Sequence, residues 1–252
     1  MVPADSVKPR PSALEVQLGA AKVAKYATST SGDTLEIIER PQGGLSAVLV
    51  DGQRSGRPAR IISNIVARKA ISLLGEGVRD GAAARAAHDY LRTHRSGQVS
   101  AELQMVSVDL ASQTLVISRN ARCPAFVWAE DTLHVLDDDS DPIGIYDYTK
   151  PCIVEMPLRP WSFVVQCTDG LLHAFGRQAA QSLLDTLERL LASHPDAQDL
   201  ADTLLQAALR IEAGRPSDDV SVLVVAVRPD TAGNGIRRLS ARFPVPAIVT
   251  PQ

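Results

Sequence analysis

Leu45-Ser46-Ala47-Val48-Leu49-Val50-Asp51-Gly52-Gln53-Arg54-Ser55-Gly56-Arg57-Pro58-Ala59 opens as an apolar run, stops at a carboxylate, turns through glycine and serine, and enters a helix. A short apolar run closed by Asp-Gly reads as a strand. Beyond Pro58 the period changes: Ile61, Ile62, Ile65, Val66, Lys69, Ala70, Leu73 and Leu74 recur at i, i+3, i+4, i+7. Gly75 and Gly77 stop this helix, and Asp80 is expected to cap a second one running to about His94.

A block of strands follows. Glu102–Leu110 alternates, Ala111-Ser112-Gln113 reads as a hairpin loop, and Thr114–Ser118 returns. Ala125–Trp128, Thr132–Leu136, Cys152–Met156 and Ser162–Gln166 read as further strands. Leu183, Leu184, Leu187, Leu190 and Leu191 mark one helix, and Leu200, Leu204, Leu205, Ala208 and Leu209 another. Val220–Val227 is almost wholly apolar, so it is expected in the middle of a sheet covered on both faces. Hairpins predict antiparallel sheets, and helix pairs between strand blocks predict sheets covered by helices, an α+β architecture. A Rossmann domain would need regular βα alternation and a glycine-rich phosphate turn, and the sequence has neither.

A chain of 252 residues can bury a self-sufficient core as one sizeable domain or two small ones. The reading assigns 1–13 to a polar, proline-containing leader, 14–228 to the domain, and 229–252 to a tail. A net charge of -3 gives no bulk attraction for nucleic acid, and 4% aromatics offer few stacking platforms. Cys123, Cys152 and Cys167 are odd in number and far apart, which predicts reduced thiols rather than a disulfide framework or a metal knuckle. No secretion signal opens the chain, and no run approaches the ~18 apolar residues of a membrane span. These features predict a cytoplasmic protein that does not enter a membrane. They leave its oligomeric state open.

Three acidic positions share one context. Asp51 ends the first apolar run and precedes Gly52. Asp169 follows Phe163-Val164-Val165-Gln166-Cys167-Thr168 and precedes Gly170. Asp218 opens Val220–Val227, with Asp219 beside it. Carboxylates at strand ends are held by a rigid sheet, and hard cations such as Mg²⁺ and Mn²⁺ take carboxylate, carbonyl and water oxygens. A glycine after the Asp leaves its carbonyl open to the same ion. Each motif also has a plainer reading. Asp-Gly is the commonest turn dipeptide, and Asp218-Asp219 alone fits a solvated loop or cap. Asp137-Asp138-Asp139 reads as an exposed acidic loop. His88 and His94, six apart on a helix, read as surface residues, and His173 is the histidine nearest a motif.

The order of the motifs carries more than any one of them. Ser31-Gly32-Asp33, Asp51-Gly52, Asn120-Ala121-Arg122-Cys123-Pro124, Asp141-Pro142-Ile143-Gly144-Ile145, Cys167-Thr168-Asp169-Gly170-Leu171 and Ser217-Asp218-Asp219-Val220-Ser221 follow one another between about Gly32 and Val227. This series resembles the PPM-type metal-dependent protein phosphatases, and within them the SpoIIE branch with the RsbU and RsbX regulators. The resemblance implies a four-layer αββα sandwich with two divalent cations, Mn²⁺ or Mg²⁺, at one end. It implies that Asp51 bridges both ions, the Gly52 carbonyl binds one, Asp169 and Asp218 complete the other, and Asp33 orients metal-bound water for in-line attack on phosphoserine or phosphothreonine. No phosphoenzyme is then needed, in keeping with the lack of a nucleophile–base constellation. The implied partner is a phosphorylated STAS-domain regulator or anti-sigma-factor antagonist.

Two departures bear on function. Arg54 stands where the family usually has glycine. It fits three roles: holding substrate phosphate, obstructing the site, or pointing to solvent. The Asn120–Pro124 loop lacks the family's usual glycine and histidine, for which a local structural consequence only is expected. Three functions therefore stay open: an active phosphatase, a catalytically weak or inactive binding module of the same fold, and an unrelated two-metal hydrolase of small phosphoesters. The last expects a deep closed pocket, the first a shallow open cleft.

Overall fold

Alternating apolar stretches form ten strands, and 3.6-period stretches form five helices, among the described residues 14–176, 180–231 and 236–245 of this computed structural model. In chain order they are β1 (Leu14–Val23), β2 (Thr34–Glu39), β3 (Leu45–Gly52), α1 (Gly56–Gly75), α2 (Asp80–Arg95), β4 (Ala101–Asp109), β5 (Thr114–Asn120), β6 (Ala125–Ala129), β7 (Thr132–Leu136), β8 (Cys152–Pro157), β9 (Ser162–Cys167), α3 (Asp169–Phe175), α4 (Ala180–Leu191), α5 (Ala197–Ile211) and β10 (Val220–Pro229). One sheet has the order β1-β10-β9-β6-β7 and the other β2-β3-β4-β5-β8, with antiparallel neighbours throughout. The leader expected over 1–13 lies outside the described residues, as do 232–235 and 246–252 of the tail.

Three apolar layers explain the stacking. Between the sheets, Val106, Val108, Leu115 and Ile117 meet Ala125, Val127, Val164, Val225 and Val227. Outside the β2–β8 sheet, Ile62, Val66, Ala70 and Leu74 of α1 and Ala83, Ala87 and Leu91 of α2 cover Val48, Val50, Leu103 and Met105. Outside the other sheet, Leu171, Leu187, Leu200 and Leu204 cover Val165, Val222, Val224 and Ala226. The result is the α+β, four-layer αββα sandwich. Buried apolar surface contributes about 25 cal/mol per Å², so these layers supply most of the driving force. Two buried glutamines also stitch the sheets together: Gln104 Nε2 donates to the Cys167 carbonyl at 2.7 Å and Gln166 Nε2 to that of Met105 at 3.3 Å.

β10 is central as expected, with Val220–Val227 buried between sheet and helices. Three elements carried too little signal to be expected. β1 and β2 are half-buried edge strands, and glycine and alanine blur the alternation of β1. α3 begins at Asp169-Gly170, where the dipeptide alone reads as a turn.

Two expectations about α2 are corrected. Arg79 takes the N-cap position, and Asp80 does not cap. Its carboxylate is buried, accepts a short hydrogen bond from Ser107 Oγ, and pairs with Arg40 Nη1 at 3.2 Å. Arg40 also donates to Ser46 Oγ at 3.2 Å and to the Val78 carbonyl at 3.0 Å, so one guanidinium joins β2, β3, β4 and the α1–α2 turn. Burial pushes the Asp80 carboxyl up despite this partner. His88 is not a surface residue but 1% exposed, and its Nδ1 accepts the Gly144 N–H at 3.1 Å.

Candidate metal centre

The strand ends bring carboxylates from both sheets to one end of the sandwich. Asp51 closes β3 and Asp33 precedes β2 in one sheet, while Asp169 follows β9 and Asp218 precedes β10 in the other. Asp51, Gly52, Asp169 and Asp218 line a single cleft of about 330 Å³. Glu102, which sequence reasoning missed, lines it too, because it stands directly opposite Asp51 in the β3–β4 register. Only that register reveals the pairing; nothing in the local sequence marks Glu102.

Close approach of backbones makes two motif glycines necessary. A Cβ on Gly52 would overlap the Ala59 carbonyl in the first turn of α1, and one on Gly170 would overlap the Asp219 carbonyl. The Asp-Gly pairs are therefore where a helix meets a strand end, not free turns.

Asp33 is 1% exposed and belongs to the lock between the sheets. Its Oδ2 accepts Thr168 Oγ1–H at 3.0 Å and Ser221 Oγ–H at 2.6 Å, both from the opposite sheet's motifs. Its Oδ1 is buried and has no hydrogen-bond partner among the described residues. Asp219 has a different task from Asp218. Its two oxygens accept the main-chain N–H groups of Lys25 (2.9 Å) and Gly32 (2.8 Å), which fixes the loop that carries Asp33.

The crowding shows in the electrostatics. Burial first, then the charges of Asp33, Asp169, Glu102 and Asp218, push the Asp51 carboxyl up to about 9. Burial raises Asp33 to about 6, against the hydrogen bonds from Ser221 and Thr168. Burial also raises Glu102 and Asp169. Bound cations would relieve such repulsion. Carboxylate oxygens from Asp169 and Asp218 and a nitrogen of His173 lie within 4.8 Å of one another. The oxygen-rich donor set and the orphaned Asp33 Oδ1 fit hard divalent ions.

Arg54 lines the same cleft, exposed, with φ +76°. Asp137, Asp138 and Asp139 form an exposed loop away from the cleft lining. Cys123 and Cys167 are buried free thiols and Cys152 a partly buried one.

A family model described as Stage II sporulation protein E (SpoIIE) matches residues 41–228. The chain belongs to the SpoIIE family. Stage II sporulation protein E of Bacillus subtilis (strain 168) is 24% identical over 233 residues, which is 92% of this chain but 27% of that protein's length. The solved PP2C phosphatase domain of the cell fate determinant SpoIIE from Bacillus subtilis, with a fragment of its regulatory domain, superposes with a TM-score of 0.75 at 23% identity, covering 86% of this chain and 64% of that one. The catalytic domain of the serine/threonine phosphatase PstP, solved with two manganese ions, superposes with a TM-score of 0.66 at 16% identity, covering 86% of this chain and all of that one. This SpoIIE-family chain thus has the PP2C fold. No described helix is long and apolar enough to cross a membrane.

Proposed function

We propose that this chain is a metal-dependent protein serine/threonine phosphatase acting on a phosphorylated signalling regulator of the STAS or anti-sigma-factor-antagonist type. The observation that carries the reading is the convergence of Asp51, Asp169 and Asp218 from two sheets on one cleft. Two divalent cations, Mn²⁺ or Mg²⁺, supply Lewis acidity that lowers the pKa of water and offsets phosphate charge. Asp51, the Gly52 carbonyl, Asp169 and Asp218, which line one cleft, would hold the ions, and Glu102 would add charge beside Asp51. Asp33 has Oδ2 locked to Thr168 and Ser221, and its uncommitted Oδ1 would be the acceptor for orienting water. Arg54 is suited to a phosphate contact from the rim. The cleft is open, with the Asp169 side chain 44% exposed, which suits a protein-borne phosphoester better than a small enclosed one.

The test is phosphate release from p-nitrophenyl phosphate and from a phosphorylated STAS protein, with Mn²⁺, with Mg²⁺ and with EDTA. Turnover that EDTA abolishes, and that Asp169→Asn lowers at least a hundredfold, is expected; loss of one ligand charge removes catalysis while leaving volume unchanged. Full activity in Asp169→Asn overturns the mechanism. Binding of the phosphoprotein without turnover, under every metal, leaves the regulatory module as the function.

A further inference from the structure

The cleft has a carboxylate floor and a cationic rim. Lys25 comes from the segment after β1, Arg54 from the β3–α1 turn and Arg122 from the β5–β6 loop, and all three line the cleft. Two other arginines near this end are tied down. Arg60 donates to the Asp33 carbonyl, and Arg119 donates to the carbonyls of Ala121 (2.5 Å) and Asp138. Among the described residues, the side chains of Lys25, Arg54 and Arg122 make no ion pair and no hydrogen bond, although carboxylates line the same cleft.

The main chain that carries Arg122 is held in place. Glu102 accepts the main-chain N–H of Cys123 at 3.3 Å and that of Arg122. Asn120 Nδ2 donates to Thr149 Oγ1 at 2.7 Å. The loop's main chain is therefore anchored, while its exposed guanidinium makes no ion pair or hydrogen bond and acts on Glu102 only through its charge, so a new contact has only the side chain to order. The neighbouring wall, Pro142, Ile145 and Tyr146, is uncharged.

We infer that Arg122, with Lys25, makes the enzyme select phosphoresidues flanked by acidic side chains. The inference rests on the phosphatase reading and names its substrate class. Residues flanking a phosphoserine on the floor must cross the rim. Carboxylates there find unpaired donors, whereas lysines meet like charge. A charge-assisted contact is about twice as strong as a neutral one, and a guanidinium receives a carboxylate with two parallel bonds.

Two phosphoserine peptides of equal length decide the matter, one flanked by glutamates and one by lysines. Their kcat/KM with Mn²⁺ is compared in the parent, Arg122→Ala, Arg122→Glu and Lys25→Ala, and their fluorescence anisotropy is measured on Asp169→Asn, where turnover plays no part. The parent is expected to favour the glutamate peptide about tenfold, with the preference shrinking as salt rises. Arg122→Ala should bring the two peptides near parity, and Arg122→Glu should invert the order. Equal values in the parent, or an undiminished preference in Arg122→Ala and Lys25→Ala, overturn the inference. If the parent releases phosphate from neither peptide, nor from p-nitrophenyl phosphate nor from the phosphorylated STAS protein, the phosphatase reading fails, and the anisotropy preference alone decides the rim.

Discussion

Arg54 holds a left-handed backbone, φ +76°, three residues beyond Asp51. For a residue with a Cβ this conformation costs roughly 1 kcal/mol, and glycine adopts it without strain. Arg54→Gly is therefore expected to raise stability by about 0.5–1 kcal/mol, read as a higher urea midpoint at unchanged m. If Arg54 obstructs the site, the same variant also gains activity; if it holds phosphate, Arg54→Ala raises KM for the phosphoprotein. Asp51 gives a second prediction at this scale. Its carboxyl is held at about 9 in the fold against an ordinary 3.8. A raised carboxyl favours the folded state while protonated, so its contribution is whole below about pH 4 and is lost as pH climbs through about 9. EDTA-treated protein should lose thermal stability across that window, and Asp51→Asn, which cannot ionise, should show a flatter profile. Equal slopes in parent and variant would contradict the crowded-carboxylate picture.

The helix pair α1–α2 depends on one buried clamp. The Arg40 and Asp80 side chains are 11% and 7% exposed, and they join the start of α2 to three strands. Arg40→Met leaves a buried carboxylate without its cation, which is expected to destabilise the fold by about 3–5 kcal/mol. Arg40→Met/Asp80→Asn should recover much of that loss. Amide exchange confined to residues 56–95 would locate the damage in the helix pair, and a double variant no better than the single one would show that charge is not the cause. This clamp also shows where sequence reading runs out. The strands from β3 onward, α1 and the leucine-marked helices announce themselves by period, and Asp51, Asp169 and Asp218 stand out because each sits at a strand end. Asp80 looked like a helix cap because Asp at a helix start ordinarily is one; its real partners, Arg40 and Ser107, are long-range. Glu102 was invisible for the same reason, and Arg122 showed only as part of an altered loop whose place in the fold the local sequence does not give. Register and loop packing, not local pattern, put them in the cleft. His88 misled because histidine is polar by type, while its place on α2 faces the Gly144 turn.

At the scale of the whole molecule, the carboxylates belong to two sheets whose mutual contact is mostly apolar, with the Asp33 locks and two glutamines as polar ties. Cations shared by Asp51 with Asp169 and Asp218 would therefore join the sheets. Mn²⁺ at a hundred times its Kd is expected to stabilise the fold by about 2.7 kcal/mol through mass action. The shift should vanish with EDTA and be much reduced in Asp169→Asn. A melting temperature indifferent to Mn²⁺ would rule out a metal site that spans the sheets.

The position of β10 has a consequence for synthesis on the ribosome. This strand lies between β1 and β9 and follows directly on Asp218 and Asp219, yet it is the last of the described strands in chain order. Among the described strands, β1 has no other neighbour, so residues 14–23 must wait for residues 220–229 before their ladder can close. Until then Asp33, Asp51 and Asp169 exist on a nascent chain that lacks both the fourth carboxylate and the Asp219 tether on the Lys25–Gly32 loop. Such late, long-range closure is slow and cooperative. A stalled or prematurely terminated chain would thus carry most of the motifs without an assembled cleft, and each molecule would complete that cleft in a single late step.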